Sequence, residues 1–177
     1  PYEETLQITS TDGAFLIYSG HEILYDNNFN DSIEYGENIE MNLYIENIGN
    51  FNTSAINLTA SSSDEYISMV DGNSSIAYAL SGAIATTENP ISFDVLNNVP
   101  DGYIAQIDIN LDDGDNNWQT SFSIEIHAPV FEIANLVFQD EGMDGIWDAG
   151  ETVTVQVDLI NSGSASFYQY PGAIISC

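Results

Sequence analysis

The chain has 177 residues, of which 28 are Asp or Glu and none is Lys or Arg, a formal charge of -28. About 20 basic residues would be ordinary in this length, and without any of them the chain cannot neutralise phosphate, which excludes nucleic acid and docking on anionic lipid headgroups. Its carboxylates have no cationic side chain to pair with, so water, dilute spacing or bound cations must relieve their repulsion.

The rest of the composition is that of a foldable chain, 44% apolar with ten Tyr and eight Phe, not that of an acidic disordered tail. No apolar run approaches the roughly 18 residues that span a bilayer, so no direct membrane insertion is expected, and any signal peptide or anchor lies outside this sequence. Cys177 is the single cysteine and cannot form an internal disulfide. A chain without Lys or Arg offers no bond to trypsin-like proteases, which fits a secreted protein.

In chain order, residues 1–13 read as a lead-in or as the last strand of a preceding unit. Strands are predicted at 15–18, 39–45, 55–60, 91–96, 103–111, 119–127 and 130–138, where β-branched and long apolar residues alternate with polar ones. Turn chemistry separates them at Asp71-Gly72-Asn73, at 97–102 and at Asp112-Asp113-Gly114-Asp115. Many short antiparallel strands predict an all-β fold, an immunoglobulin-like antiparallel β-sandwich.

Residues 24–50 lie over 138–164 without a gap. Gly36 falls on Gly150 and Glu37 on Glu151, an offset of 114 (150 less 36). Asp26 meets Asp140, Asn30 meets Asp144, Glu34 meets Asp148, Asn47 meets Asn161 and Gly49 meets Gly163, and Ile39, Met41, Leu43 and Ile45 align with Val153, Val155, Val157 and Leu159. A period of this size suits one immunoglobulin-sized sandwich per unit, about 100 residues. The expectation is a tandem repeat: a complete sandwich over 14–128, then the N-terminal part of a second, truncated unit over 129–177.

The acidic segment ahead of each long strand has the spacing of a twelve-residue calcium loop, which wants oxygen at positions 1, 3, 5, 7, 9 and 12. In the first copy Asp26, Asn28, Asn30, Ser32, Glu34 and Glu37 fall on all six, and Asp31 replaces the usual glycine at position 6. In the second, Asp140, Asp144, Ile146 (through its backbone carbonyl), Asp148 and Glu151 fit, Gly145 stands at position 6, and only Gly142 supplies no side-chain oxygen. Hard oxygen ligands favour calcium over transition metals. Acidic turns capped by their own Asp and Asn side chains are the competing account.

Signals for catalysis are sparse. His21 and His127 are not equivalent in the repeat, no Ser or Cys beside either forms a nucleophile motif, and no cation is present to bind an oxyanion. Trp118, Trp147, Tyr168 and Tyr170 could form a platform for sugar rings, although core packing accounts for strand aromatics more often. Sequons stand at Asn30, Asn52, Asn57 and Asn73.

The runs Ser61-Ser62-Ser63-Asp64-Glu65-Tyr66-Ile67-Ser68-Met69-Val70-Asp71-Gly72, Asn97-Asn98-Val99-Pro100-Asp101-Gly102-Tyr103, Trp118-Gln119-Thr120-Ser121-Phe122-Ser123 and Asp144-Gly145-Ile146-Trp147-Asp148-Ala149-Gly150-Glu151-Thr152-Val153 resemble the immunoglobulin-like repeats of large secreted proteins of Bacteroidetes and related bacteria. Such repeats often follow the catalytic domain of gingipain-type cysteine proteases or of subtilisin-like proteases. The resemblance spans almost the whole chain and implies a non-catalytic, extracellular or outer-surface module. Its expected partners are neighbouring repeats of the same or identical chains, in a filament, and cell-surface or glycan ligands. No catalytic residue of the protease family has a counterpart here, and the absence of Lys and Arg departs from the family's usual composition. A carbohydrate-binding module of a secreted hydrolase is the alternative.

Overall fold

Among residues 12–167, which the computed structural model describes, the elements are strands: β1 (Leu16–Tyr25), β2 (Asn38–Asn47), β3 (Ile56–Ser61), β4 (Ile67–Asp71), β5 (Asn73–Ile76), β6 (Ile84–Thr86), β7 (Ile91–Val95), β8 (Tyr103–Asp112), β9 (Asn117–Ile126), β10 (Phe131–Asp140) and β11 (Val153–Asn161). Most of the expected lead-in, together with Tyr168, Tyr170 and Cys177, lies outside the described residues. Alternation does what a period of two requires: along β2 every second residue, from Ile39 to Asn47, is buried.

One sheet runs β1-β2-β7-β4, with β6 also on β2, and a second runs β5-β3-β8-β9. All of these pairings are antiparallel. β7 and β6 share one edge of β2, and Thr87 fills the gap between them. Its amide donates to the Leu43 carbonyl at 3.1 Å, and its hydroxyl accepts the Leu43 N–H at 3.0 Å, so the buried backbone stays satisfied. Ile39, Met41, Leu43, Ile45 and Phe93 of the first sheet pack against Leu58, Ile107, Ile109 and Phe122 of the second. The result is an antiparallel β-sandwich whose contiguous apolar core begins at Leu16 and ends at Ala128.

The predicted strands are present, with ends differing by a residue or two, except that the one expected at 15–18 continues to Tyr25. Register shifts after Tyr18 and after Ile23 break its alternation, and this hid the outer half. β4, β5 and β6 are not among the predicted strands, although the turn predicted at Asp71-Gly72-Asn73 separates β4 from β5.

β10 and β11 form a separate hairpin. Its pairs Phe131↔Asn161, Ile133↔Leu159, Leu136↔Val157 and Phe138↔Val155 match Leu16↔Asn47, Tyr18↔Ile45, His21↔Leu43 and Ile23↔Met41 of β1 and β2, including the shift after Ile133. β10 begins 115 residues after β1 (131 less 16), and the bulge at Leu24 absorbs the one-residue excess over the offset between β2 and β11. Phe131, Ile133, Leu136 and Phe138 share one face with Val153, Val155, Val157 and Leu159. Where Ile39, Met41, Leu43 and Ile45 are fully buried, this face stands open, with Ile133 66% exposed.

Candidate functional site

Between β1 and β2 the chain turns back on the carboxylate of Asp26, which is only 1% exposed. Its Oδ1 accepts the backbone N–H groups of Asn28 at 3.0 Å, of Phe29, and of Asn30 at 3.2 Å, and its Oδ2 accepts that of Asp31 at 2.8 Å. Amide donors of this kind compensate the burial of an anion. Asn28 and Asn30 donate their Nδ2 groups to the two oxygens of Glu34, each at 3.0 Å. The Ser32 amide donates to Oδ1 of Asn30 at 2.8 Å, and the Glu34 amide to Oε2 of Glu37 at 3.0 Å. All six expected positions thus meet in one turn, beside a hollow lined by Asn28, Glu34, Gly36, Glu37 and Asn97.

Asp26, Glu34 and Glu37 are buried together in a chain with no Lys or Arg. Burial pushes the Glu37 carboxyl above its ordinary value. The Glu34 and Asp26 charges add to the rise, opposing the amides of Glu34 and Asn27 that lower it.

The loop between β10 and β11 repeats this bonding. Asp144 N–H donates to Oδ2 of Asp140 at 3.0 Å, Ile146 N–H to Oδ1 of Asp144 at 2.9 Å and Asp148 N–H to Oε2 of Glu151 at 2.9 Å. Each has its counterpart in the first loop: Asn30 on Asp26, Ser32 on Asn30, Glu34 on Glu37. Left-handed backbone falls at Phe29, Asp31 and Gly36, and again at Met143, Gly145 and Gly150. A Cβ on Gly142 would stand 2.8 Å from Oε1 of Glu151, 3.5 Å from Oδ2 of Asp140 and 3.9 Å from Cγ of Asp144. The one position without a side-chain oxygen is therefore crowded, and a side chain there would press on the Glu151 carboxylate. Burial acts to raise the Asp140 carboxyl, but hydrogen bonds, chiefly from the Asp144 amide, outweigh it and hold the group below its usual range.

An all-oxygen set of this kind suits a hard cation. As they stand, the turns are closed by amides: Asn28 and Asn30 face Glu34 with nitrogen, and no three His, Cys, Asp or Glu side chains among the described residues are gathered as a metal site. A half-turn of both amides would aim their Oδ1 atoms into the same space, with loss of the bonds from Asn30 N–H and Ser32 N–H. Asp26, Ile33, Glu34 and Glu37 of the first loop are buried where the sandwich covers them, while Asn27 and residues 29–31 are exposed, with Tyr35 N–H donating to the His127 carbonyl and His127 N–H to that of Ile33, each at 2.9 Å. The second is exposed from Glu141 to Gly150.

Folding also brings Ser164 to His127, a proximity that spacing along the chain does not reveal. Ser164 Oγ lies 2.7 Å from Nδ1 of His127 and donates to Oδ1 of Asp101. The hydroxyl stands between imidazole and carboxylate, whereas in a Ser-His-Asp relay the imidazole stands in the middle.

Trp118 packs against the core and donates Nε1–H to the Ala14 carbonyl at 3.1 Å, so it is a core residue and not part of an aromatic platform. Trp147 is 61% exposed, its ring 5.2 Å from that of Phe138. The sequon residues Asn30, Asn52, Asn57 and Asn73 are all exposed. Among the described residues no helix is long and apolar enough to cross a membrane. No protein-family model matches the chain, and no curated protein matches it.

Proposed function

We propose that this chain is a non-catalytic structural and adhesive module of a secreted or cell-surface bacterial protein. In this reading 14–128 is one immunoglobulin-like unit, 129–177 begins the next, and calcium stiffens the turns 26–37 and 140–151. The resemblance to repeats that follow gingipain-type protease domains supplies the setting. The observation that carries the calcium is the burial of Asp26, Glu34 and Glu37 in a chain without Lys or Arg, in a turn whose bonds recur at the second acidic loop. Clustered anions repel one another, and a divalent ion is the charge that would offset them. Neighbouring units of the same or identical chains are the partners that the open hairpin face favours, in an extended filament, alongside cell-surface or glycan ligands.

Calorimetric titration of the purified chain with calcium tests this, with melting followed in EDTA and in calcium. A saturable isotherm and a raised melting temperature, both diminished in Glu37→Gln, are expected. No heat and no shift in the unmodified chain would remove calcium and leave a plain spacer. The exposed Trp147 and Phe138 pair favours a second reading, a carbohydrate-binding module of a secreted hydrolase. Glycan-array binding abolished by Trp147→Ala would promote it above the first.

A further inference from the structure

The apolar core ends at Ala128, yet the loop that follows β11 returns to the sandwich and is held there. Ser164 N–H donates to Oδ2 of Asp101 at 3.1 Å, and the Ser164 hydroxyl donates to Oδ1 of the same carboxylate. A hydroxyl has one proton and a carboxylate can only accept, so the 2.7 Å contact with His127 must be donated by the imidazole. The contact therefore selects the imidazole form protonated at Nδ1. Asp101 is fixed in turn by the Ala128 amide at 2.9 Å.

The surroundings are built around this contact. Ala165 is 1% exposed, and its N–H donates to the Ala128 carbonyl at 3.4 Å. The Tyr35 hydroxyl donates to the Ser166 carbonyl at 3.4 Å, the Tyr35 ring stacks on Phe167 at 6.5 Å, and Phe167 meets Phe131 edge-on at 5.0 Å. His127 is gripped from behind by the backbone of Ile33 and Tyr35, the last turn of the acidic loop.

We propose that Asp101, His127 and Ser164 form a latch that fixes the β10–β11 hairpin in one orientation on the sandwich, with the 33–35 segment of the acidic loop as its brace. A short link, 127–130, is the only covalent connection from β9 to the hairpin, so directional bonds at Ser164 convert a tether into a rigid joint. A spacer needs such a joint, since flexible links between units would lose reach and direction. The latch gives the proposed module its mechanical part, and it rests on that reading only for its purpose. Its measurement involves neither calcium nor assembly, so either idea can fail alone.

Backbone 15N relaxation of the whole chain tests it. Sandwich and hairpin amides should share one rotational correlation time. Ser164→Ala and Asp101→Asn should each separate the two, the hairpin value falling while the chemical shifts of β2 and β8 hold, and Ser164→Thr, which keeps the hydroxyl, should restore the shared value. Independent tumbling in the unmodified chain would overturn the proposal, as would a shared value that survives Ser164→Ala. Should Ser164→Ala unfold the hairpin, Asp101→Asn decides by the same criterion, because it leaves the hairpin's own bonds intact.

Discussion

The Tyr18 hydroxyl lies 2.6 Å from Nδ1 of His21, three positions along the same strand. On a regular strand residues three apart point to opposite faces. Here the bulge after Tyr18 turns both inward, opposite Ile45 and Leu43. Tyr18 stacks on Phe122 of the facing sheet at 4.4 Å with planes 7° apart, and His21 lies 5.5 Å from the same ring.

This placement makes His21 a source of acid sensitivity. Burial lowers its pKa below the ordinary histidine value, so the unfolded chain takes up a proton before the folded one does. Stability from neutral His21 is complete above the ordinary value, about 6.5, and is lost as pH falls from there through the lower folded value. Urea unfolding of the unmodified chain and of His21→Gln between pH 8 and pH 5 should give curves that diverge in slope below about 6.5, the variant lacking this loss. Parallel curves would show that His21 is not held neutral by the fold.

Glu37 works in the opposite sense. Its carboxyl is raised by burial and by Glu34 and Asp26, so the folded chain holds the proton more tightly than the unfolded one. Stability therefore falls as pH rises from the ordinary carboxylate value through the raised one, and ionised Glu37 strains the turn at neutral pH. In EDTA, Glu37→Gln keeps the acceptor for the Glu34 amide and should be more stable than the unmodified chain at pH 7. That advantage should shrink on acidification, since the proton does the same work. A variant less stable than its parent at pH 7 in EDTA would contradict the account.

The sequence disclosed those parts of the molecule that are written locally. Ile39, Met41, Leu43 and Ile45 alternate cleanly and are inward neighbours in one strand, and the Asp-Gly turn at 112–115 joins β8 to β9. The acidic turns were legible for the same reason, because each set of interacting residues lies within a dozen positions. Bulges are less visible: the break in alternation after Tyr18 reads as the end of a strand when it is a kink within one. β6 contributes only three residues and owes its strand form to the edge of β2, which no local pattern encodes. The contact of Asp101 and His127 with Ser164 lay beyond reach, since these residues are 63 and 37 positions from it and meet only when β9, β11 and the turn before β8 are in place.

Asn47 and Asn161 make nearly the same bonds in unlike surroundings, and this contrast gives a stability test. Asn47 is fully buried. Its Oδ1 accepts Phe15 N–H at 3.1 Å and Gly49 N–H at 3.0 Å, and its Nδ2 donates to the carbonyls of Phe51 at 2.7 Å and Ala79 at 3.0 Å. Asn161 accepts Val130 N–H at 2.9 Å and Gly163 N–H at 3.1 Å and donates to the Ala165 carbonyl at 2.8 Å, but it lies at the exposed end of the hairpin. Removing Asn47 unmakes one buried and three part-buried bonds, each group worth about 1–3 kcal/mol when left buried without a partner, whereas water can replace what Asn161 supplies. Asn47→Ala should cost about 3 kcal/mol or more in denaturant unfolding of the sandwich, and Asn161→Ala about 1 kcal/mol or less. Equal losses would mean that the hairpin unfolds with the sandwich as one cooperative body. A loss at Asn161 alone would contradict the assignment of the apolar core to residues between Leu16 and Ala128.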